Sequence, residues 1–408
     1  MTRSQMRPIR DTISLEEARA LIDQAAVPVE RTERLPLLQA NGRVIARDVR
    51  AERDVPPFSR AAMDGYGVVA EDTFEASRQR PARLRLVETV YTGEVPTRPV
   101  GRGECAEIAT GAPMPQGADA VVMVEESEKD AAGCVLIFTP VHPRQNVGRQ
   151  GADITTGQAL VGHGEVLNPS RIGALSAVGT TEVEVFAQPR VAILSTGNEI
   201  IEPGALLGPG QIYDVNKFTL AAIIGEHGGV PVPHRTAEDT LDALCAALDA
   251  CLASADVVVF SGGSSVGERD LILDAIASKG EVVFHGIAVK PGKPTVFGRI
   301  GDTPIFGMPG YPTSCLSNAY MLLVPFLRRV ARLPAHLARS VMAPIGQRIV
   351  STTGRHQFYT VRLVDGVAVP AFKASGDITS MSQADGYIEI PAQTDIVEKG
   401  EMVEVKMF

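Results

Sequence analysis

The chain has 408 residues, 45% of them apolar and 21% charged, with 39 glycines and 28 prolines. That is material for two to four packed domains rich in turns and short strands, and it excludes bulk disorder. A net charge of −9 with no basic stripe excludes an ordinary nucleic-acid binder, and no apolar stretch approaches the ~18–20 residues that span a bilayer.

The N-terminal MTRSQMRPIRDTISLEEAR lacks the apolar segment of a secretory signal. Cys105, Cys134, Cys245, Cys251 and Cys315 are scattered and form no C-x-x-C pair. Neither a zinc site nor a disulfide framework is expected, and a reduced, cytoplasmic compartment is.

Residues 12–26 (TISLEEARALIDQAA) predict a helix. Ser14 can cap it, Glu16 and Glu17 suit its positive end, and Leu15, Ala18, Leu21 and Ile22 share a face. Residues 35–55 alternate in short strand-like pieces. From 56 to 149 the strand candidates RLRLVETV, AVVMVEES and CVLIF are separated by the turn signals PPF, TGAPMPQGAD and DAAG. Residues 150–187 return to short strands, with one helix at PSRIGALSAVG. The expected layout is a mixed α/β linker layer made of 1–55 and 150–187, with a small β domain, 56–149, inserted into it.

At 188 the pattern changes. VAILSTG, DVVVFSGG, VVFHGIAV and TPIFGMPG read as strands ending in small-residue loops. VNKFTLAAIIGEHGG, RDLILDAIASKG and a long segment from Thr313 to about Leu333 read as helices. Alternating strands and helices predict a parallel α/β domain over 188–334. The strand-rich remainder, 335–408, predicts a last β domain.

Three of the strand-to-loop segments have the same form: ILSTGNE (193–199), VFSGGSSVGERD (259–270) and IFGMPGYPTS (305–314). In an open parallel sheet, such loops gather at one edge, where ligands bind. Each offers backbone N–H groups or hydroxyls to an anion, although any one alone could be an ordinary βα turn. VKPGKPTVFG (289–298) adds Lys290 and Lys293, flanked by prolines, a spacing that suits an oxyanion. Glu199, Asp239 and Asp270 fall beside these loops, and Asp64 and Asp153 lie in SRAAMDGYG and RQGADI. Two such carboxylates 6 Å apart repel by ~3 kcal/mol at an effective dielectric near 20, so a gathered set needs a cation, and hard oxygen ligands suit Mg²⁺. Asp270 could also simply cap the helix after it.

Gly65-Tyr-Gly67-Val-Val-Ala70 matches G-x-G-x-x-A, but it follows a polar segment and reads as a β-domain turn, not a dinucleotide site. There is no Walker A sequence, and the seven histidines show no zinc-hydrolase spacing. The residues alone therefore point to Mg²⁺-assisted chemistry on a phosphate-bearing small molecule at a sheet edge.

SRAAMDGYGV, ATGAPMPQGADAVV, GRQGADI, STGNEI with GQIYDVN, SGGSSVGERD, VKPGKP and FGMPGYPTS occur in this order. Together they resemble the molybdopterin molybdenumtransferase family, the bacterial MoeA type also found as the C-terminal part of gephyrin. The resemblance runs along nearly the whole chain. It implies an elongated homodimer in which the β domain of one subunit faces the α/β domain of the other, an α/β molybdopterin-binding domain, and a β-barrel-like C-terminal domain. It also implies the reaction: Mg²⁺-dependent insertion of molybdate, or tungstate, into adenylylated molybdopterin, with release of AMP. The molybdopterin adenylyltransferase and acceptor molybdoenzymes would be its partners.

Carried over by motif, Asp64 and Thr110 would serve the reaction from the β domain and Asp153 from the linker layer. Glu199, Asp239 and Asp270 would supply the acids that hold Mg²⁺. Ser261, Gly262, Gly263 and Ser265 would cradle the pterin or its phosphate. Lys290 and Lys293 would take phosphate or molybdate, Pro309 and Pro312 would shape the pocket, and Arg355 and Ser375 would contact an oxyanion. The sequence departs from the family pattern at Asn198 (usually Asp), Ser264 (usually Val), Tyr311 (usually Asn) and His285-Gly286 (often Lys), which leaves the choice of molybdate or tungstate open. The alternatives are a non-catalytic carrier of molybdopterin, a scaffold like gephyrin and a nucleotide pyrophosphatase. The acids speak against the carrier, the single α/β unit against the scaffold, and the matched β domains against the pyrophosphatase.

Overall fold

The computed structural model describes residues 11–262 and 271–408. The chain forms two compact units: residues 34–185, and residues up to 33 together with 186–408.

In the first unit, six strands pair in the order Ala120–Met123, Gly65–Val68, Glu104–Ile108, Ala82–Val90, Cys134–Ile137, Ser127–Lys129. Their core is Tyr66, Val68, Leu84, Cys105, Val122, Val135 and Ile137. A separate core of Leu37, Ile45, Val161, Leu167, Leu175 and Val183 joins the segments that flank this sheet in sequence. The expected turn at Gly65–Ala70 is instead a central strand over Gly65–Val68, buried throughout. A side chain at Gly65 would put its Cβ 1.8 Å from the Val122 carbonyl oxygen, so only glycine lets the neighbouring strand approach.

The second unit opens with helix α1 (Leu15–Gln24), capped as expected: the Ser14 hydroxyl accepts from Glu17 N–H at 3.0 Å. Leu15, Ala18 and Ile22 do not join the linker layer; they share a core with Val191, Ile193 and Val257. The helix carries an apolar stripe that fits any apolar surface, and the sequence does not say which one it meets.

The α/β part follows as β1 (Arg190–Ser195), α2 (Asn216–Glu226), β2 (Val230–Pro233), α3 (Leu241–Ser254), β3 (Val257–Ser261), α4 (Leu271–Lys279), β4 (Glu281–His285), β5 (Val289–Lys290), β6 (Val296–Ile300), β7 (Thr303–Met308), α5 (Pro312–Asn318) and α6 (Val324–Val330). The sheet order is β2-β1-β3-β7-β6-β4. Alternate residues of each strand face opposite ways. Val191, Ile193, Val257, Val259 and Phe306 pack with α1, α2, α5 and α6, while Ala192, Leu194, Val258, Phe260 and Ile305 pack with α3 and α4. Burial on both faces is why these strands read as unbroken apolar runs.

Helix α3 was not anticipated, although Thr240 caps it by accepting from Ala243 N–H and Leu241, Leu244, Leu248 and Cys251 have helical spacing. The sheet is parallel over β2, β1, β3 and β7, but β6 runs antiparallel to both β7 and β4. Ile300 pairs with Thr303, so only Gly301 and Asp302 connect the strands, and a two-residue link of this kind makes a hairpin. The long helix expected from Thr313 is interrupted by a π-helical turn at Ala319–Leu323. Pro325 has no N–H to give the Met321 carbonyl, and Arg19 Nε donates to it instead at 3.1 Å.

The C-terminal strands are β8 (Ser340–Pro344), β9 (His356–Val364), β10 (Val367–Pro370), β11 (Gly386–Ile390) and β12 (Met402–Met407). They form a sheet in the order β5-β9-β11-β12-β8, with β10 beside β9. Strand β5, from the α/β part, is thus the end strand of the C-terminal sheet.

Candidate functional site

From β1 the chain passes through α2 to β2 on one side, and from β3 it passes through α4 to β4 on the other. Strands β1 and β3 are adjacent, so the connections diverge between them, and that is where an open α/β sheet has its binding crevice. Thr196 N–H donates to Ser261 O at 3.0 Å across this point. Gly262 has φ +109°, and a Cβ there would lie 2.4 Å from Thr196 O. A Cβ on Gly310 would come within 3.4 Å of Gly262 Cα, and Asn216 Nδ2 donates to Gly310 O at 2.8 Å. The loops after β1 and β7, Gly262 at the end of β3 and the start of α2 therefore form one glycine-lined crest.

Ser261 is buried, and its hydroxyl bonds the thiol of Cys315, which burial pushes up to about 12. Ser261 thus offers the crest its backbone rather than its hydroxyl. Gly263, Ser264, Ser265 and Asp270 lie outside the described residues. Glu199 and Asp239 are both exposed. The Glu199 carboxylate folds over Gly197, where a Cβ would lie 2.6 Å from it. Asp239 N–H donates to Asn198 Oδ1 at 3.3 Å, so the loops carrying the two acids are joined. Sequence reasoning missed Lys217: it is almost fully buried, paired with Glu202 and 3.7 Å from Asp214. Asp214 also accepts from Lys217 N–H at 3.0 Å, fixing the start of α2 behind the crest.

The cationic side of the site is assembled by the β5–β9 ladder, which sets Val289 beside His356 and Lys290 beside Gln357. Lys290 Nζ donates to Thr352 Oγ1 at 2.7 Å, and Arg355 N–H donates to Thr352 O at 3.3 Å. Lys290, Lys293 and Arg355 are all partly buried. Pro309 is buried, and Pro312 is the first residue of α5. Thr313 donates its N–H to Ser375 O at 3.1 Å and its hydroxyl to Asp377 O at 2.9 Å. Ser375 therefore touches the start of α5 through its carbonyl.

In the other unit, Asp64 and Thr110 are in direct contact. Asp64 Oδ1 accepts from Thr110 N–H at 2.6 Å and from Thr110 Oγ1 at 2.8 Å. These two donors hold the exposed Asp64 carboxyl below the usual carboxylate range. Thr92 Oγ1 donates to Thr110 O at 2.8 Å, steadying the pair. Asp153 is exposed and makes only a backbone bond, its N–H to Val55 O at 3.0 Å. The engaged carboxylate nearby is Asp54, which accepts from Thr156 N–H, Thr156 Oγ1 and Gln150 Nε2 at 2.8–2.9 Å. DVPP carries no motif signal that would have singled it out.

Three family models match in succession: the MoeA N-terminal region (domains I and II) over residues 13–179, a probable molybdopterin binding domain over 192–329, and the MoeA C-terminal region (domain IV) over 342–408. The chain is 33% identical to molybdopterin molybdenumtransferase 2 of Mycobacterium tuberculosis, over 91% of this chain and 94% of that protein. It is 30% identical to the molybdopterin molybdenumtransferase of Haemophilus influenzae, over 97% and 98%. A crystal structure of a molybdopterin biosynthesis MoeA protein from Pyrococcus horikoshii is similar at TM-score 0.85 and 42% identity, covering 97% of this chain and 99% of that one. The chain belongs to the MoeA family.

Three of the positions expected to depart from the family pattern lie among the described residues with distinct surroundings. Asn198 keeps the oxygen that receives Asp239 N–H while removing a charge from the acidic loop. Gly286 is structural: its N–H donates to Thr295 O at 2.8 Å, and its carbonyl accepts from Ile13 at the entry to α1. Tyr311 is 66% exposed and lies against Gly376 of the C-terminal part. Among the described residues, no three His, Cys, Asp or Glu side chains form a metal-holding group, and no helix is long and apolar enough to cross a membrane.

Proposed function

We propose that this MoeA-family chain is a molybdopterin molybdenumtransferase, which takes adenylylated molybdopterin and molybdate or tungstate, cleaves the adenylate with Mg²⁺, releases AMP and yields molybdenum cofactor. The observation that carries this reading is the presence, in one unit, of a glycine crest at the switch point and of Lys290 and Arg355 joined through Thr352 beside the β5–β9 ladder. A crest of this kind accepts a planar, phosphate-bearing ligand, and ammonium and guanidinium groups suit tetrahedral oxyanions.

The donor chemistry of the described acids fits Mg²⁺. Glu199 and Asp239 are exposed, hard oxygen donors on two joined loops. They would hold the ion together with Asp270, and the bound ion would neutralise charge on the phosphoryl oxygens. The chain's own groups do the remainder. Lys290 and Lys293 draw in and hold the oxyanion, and Arg355 flanks them. Asp64, ionised by its two donors, accepts hydrogen bonds and does not act as a general acid. A homodimer, a cytoplasmic setting, an upstream adenylyltransferase and downstream molybdoenzymes complete the proposal.

The test is to incubate the full chain with adenylylated molybdopterin, Mg²⁺ and either oxyanion, and to follow AMP. Release that depends on both Mg²⁺ and the oxyanion is expected. Tight binding of the pterin with no AMP release would replace this reading with a carrier. Sedimentation velocity checks the dimer.

A further inference from the structure

We propose that Asn318 is a positioning residue for the Lys290–Lys293 turn, a role that rests on the oxyanion reading above. Asn318, the last residue of α5, is fully buried. Its Nδ2 donates to Gly292 O at 2.8 Å and to Thr295 Oγ1 at 2.6 Å, and Thr295 Oγ1 donates to Gly292 O at 2.9 Å. Thr295 is fully buried as well. This triangle clamps the middle of the turn from beneath.

The amide group is what the geometry calls for. Two acceptors must be served from one point, and an amide nitrogen carries two N–H donors where a hydroxyl carries one and a carboxylate none. Asn318 Oδ1 has no hydrogen-bond partner among the described residues. A buried orphan acceptor is costly, so the side chain is kept for its donors. The turn is shaped to receive it. Gly292 has φ +104°, and a Cβ there would lie 2.3 Å from Asn318 Oδ1. Lys293 O in turn accepts from Ile287 and Thr295 N–H at 3.0 and 2.9 Å. From the other side, Lys290 Nζ is held by Thr352.

Helix α5 thereby links two parts of the site. Its first turn is fastened to Ser375 and Asp377 beside the crest, and its last residue fastens the lysine turn. The separation of the two lysine backbones from the crest is set by seven residues of helix rather than by a free loop. A reacting group misplaced by ~1 Å can cost ~10²-fold in rate, so such a clamp has functional consequence.

The experiment compares the full-length wild type with Asn318→Ala, the isosteric Asn318→Asp, Thr295→Val, the Asn318→Ala/Thr295→Val double variant and Lys290→Ala. Hydrogen exchange is read over residues 289–298. Affinity for molybdate and for inorganic phosphate is read by calorimetry, and Tm and the KM for molybdate are also read. Both single clamp variants should speed exchange in this segment and weaken oxyanion binding by roughly tenfold or more. The double variant should be no worse than the worse single, because the two residues act through one path. Thr295→Val keeps the inference testable if the Asn318 variants fold poorly. A merely structural asparagine would lower Tm and the active fraction while leaving affinity and KM unchanged. Unchanged exchange in both single variants overturns the clamp. Faster exchange with unchanged affinity overturns its role in anion binding. If Lys290→Ala binds both anions as tightly as the wild type, the oxyanion reading itself fails, and the exchange data alone then decide whether the clamp exists.

Discussion

Gly262→Ala is the substitution that most directly tests the crest. The residue sits at φ +109°, and the added Cβ would stand 2.4 Å from Thr196 O and 3.0 Å from Thr196 Oγ1. That is about 1 Å short of a normal contact, and the obstacle is backbone rather than a yielding side-chain tip. Thr196 cannot retreat freely, because its N–H is bonded to Ser261 O and it bridges to Ala237. The backbone strain alone is worth about 1–3 kcal/mol. With the close contact added, a loss of about 2–3 kcal/mol is expected, which corresponds to a fall in Tm of roughly 4–10 °C for a unit of this size. Because the strain sits on the proposed binding loops, AMP release should fall by roughly 10²-fold even below the melting range. Gly310→Ala is the control: its Cβ would meet only Gly262 Cα at 3.4 Å, an ordinary contact, and its stability should change by less than about 1 kcal/mol. Differential scanning calorimetry and the AMP assay on both variants decide the matter. A Gly262→Ala protein with wild-type Tm and activity would refute the crest argument.

Lys290→Ala should weaken oxyanion affinity without unfolding the protein, and Lys290→Arg should restore it only in part, because a planar fork cannot take the place of an ammonium held by Thr352; calorimetry with molybdate reads both. Thr110→Val removes one of the two donors to Asp64, so the Asp64 carboxyl should titrate closer to its ordinary range than in the wild type, as read by carboxyl-carbon NMR; an unmoved titration would mean the hydroxyl contributes nothing. His227 gives a stability prediction. Burial, with His336 and Arg328 adding to it, pushes its pKa from 6.5 to about 4. The unfolded chain therefore takes up this proton before the folded one does. The stabilisation is complete above pH 6.5 and is lost as pH falls from 6.5 towards 4, amounting to about 3 kcal/mol in all. Urea unfolding at pH 7.5 and pH 5 should show a smaller acid loss in His227→Gln than in the wild type, and equal losses would show that this histidine is not the group responsible.

The strands and most helices of the α/β part were legible because burial on both sheet faces writes them as apolar runs and glycines follow the helices, and α1 was legible because Ser14 marks its start. Helix α3 escaped because its small alanine- and leucine-rich face has little polar contrast. The hairpin at Gly301–Asp302 escaped because an alternating strand–helix rhythm suggests parallel strands, and only local turn chemistry opposes it. The boundary at 185/186 lies close to the expected 187/188, whereas the one at 33/34 was not expected, because the partner of α1 is fixed by packing at long range. At the site, the loops that carry glycine, lysine and hydroxyl motifs were legible; Asp64 and Thr110 were named by resemblance, but their contact was not. The buried supports, Lys217, Asn216 and Asn318, were not. Asn216 and Asn318 each act through a backbone carbonyl of a distant loop, and Lys217 through the side chains of Asp214 and Glu202; no motif marks any of the three.

A chain of net charge −9 that is to bind an oxyanion, as proposed, must gather cations locally, and the strand pairing of β5 with β9 fixes where Lys290 lies. Glu199 and Asp239 repel an incoming phosphate or molybdate on their own. On the proposed reading Lys290 and Lys293 offset that locally, since a Debye length of ~8 Å makes nearby charge count more than the net. Lys290 belongs to the α/β sequence, yet its strand pairs with His356–Gln357 and its ammonium is bonded to Thr352. Lys290 therefore takes its partners from beyond the expected boundary at 334/335. Without residues 335–408, Lys290 would lose its hydroxyl partner, β5 the strand it pairs with among the described residues, and α5 its two carbonyl contacts at Ser375 and Asp377. On the proposed reading the last β domain is part of the oxyanion side of the site rather than an appendage, because residues 335–408 supply the strand beside Lys290 and the hydroxyl that its ammonium meets.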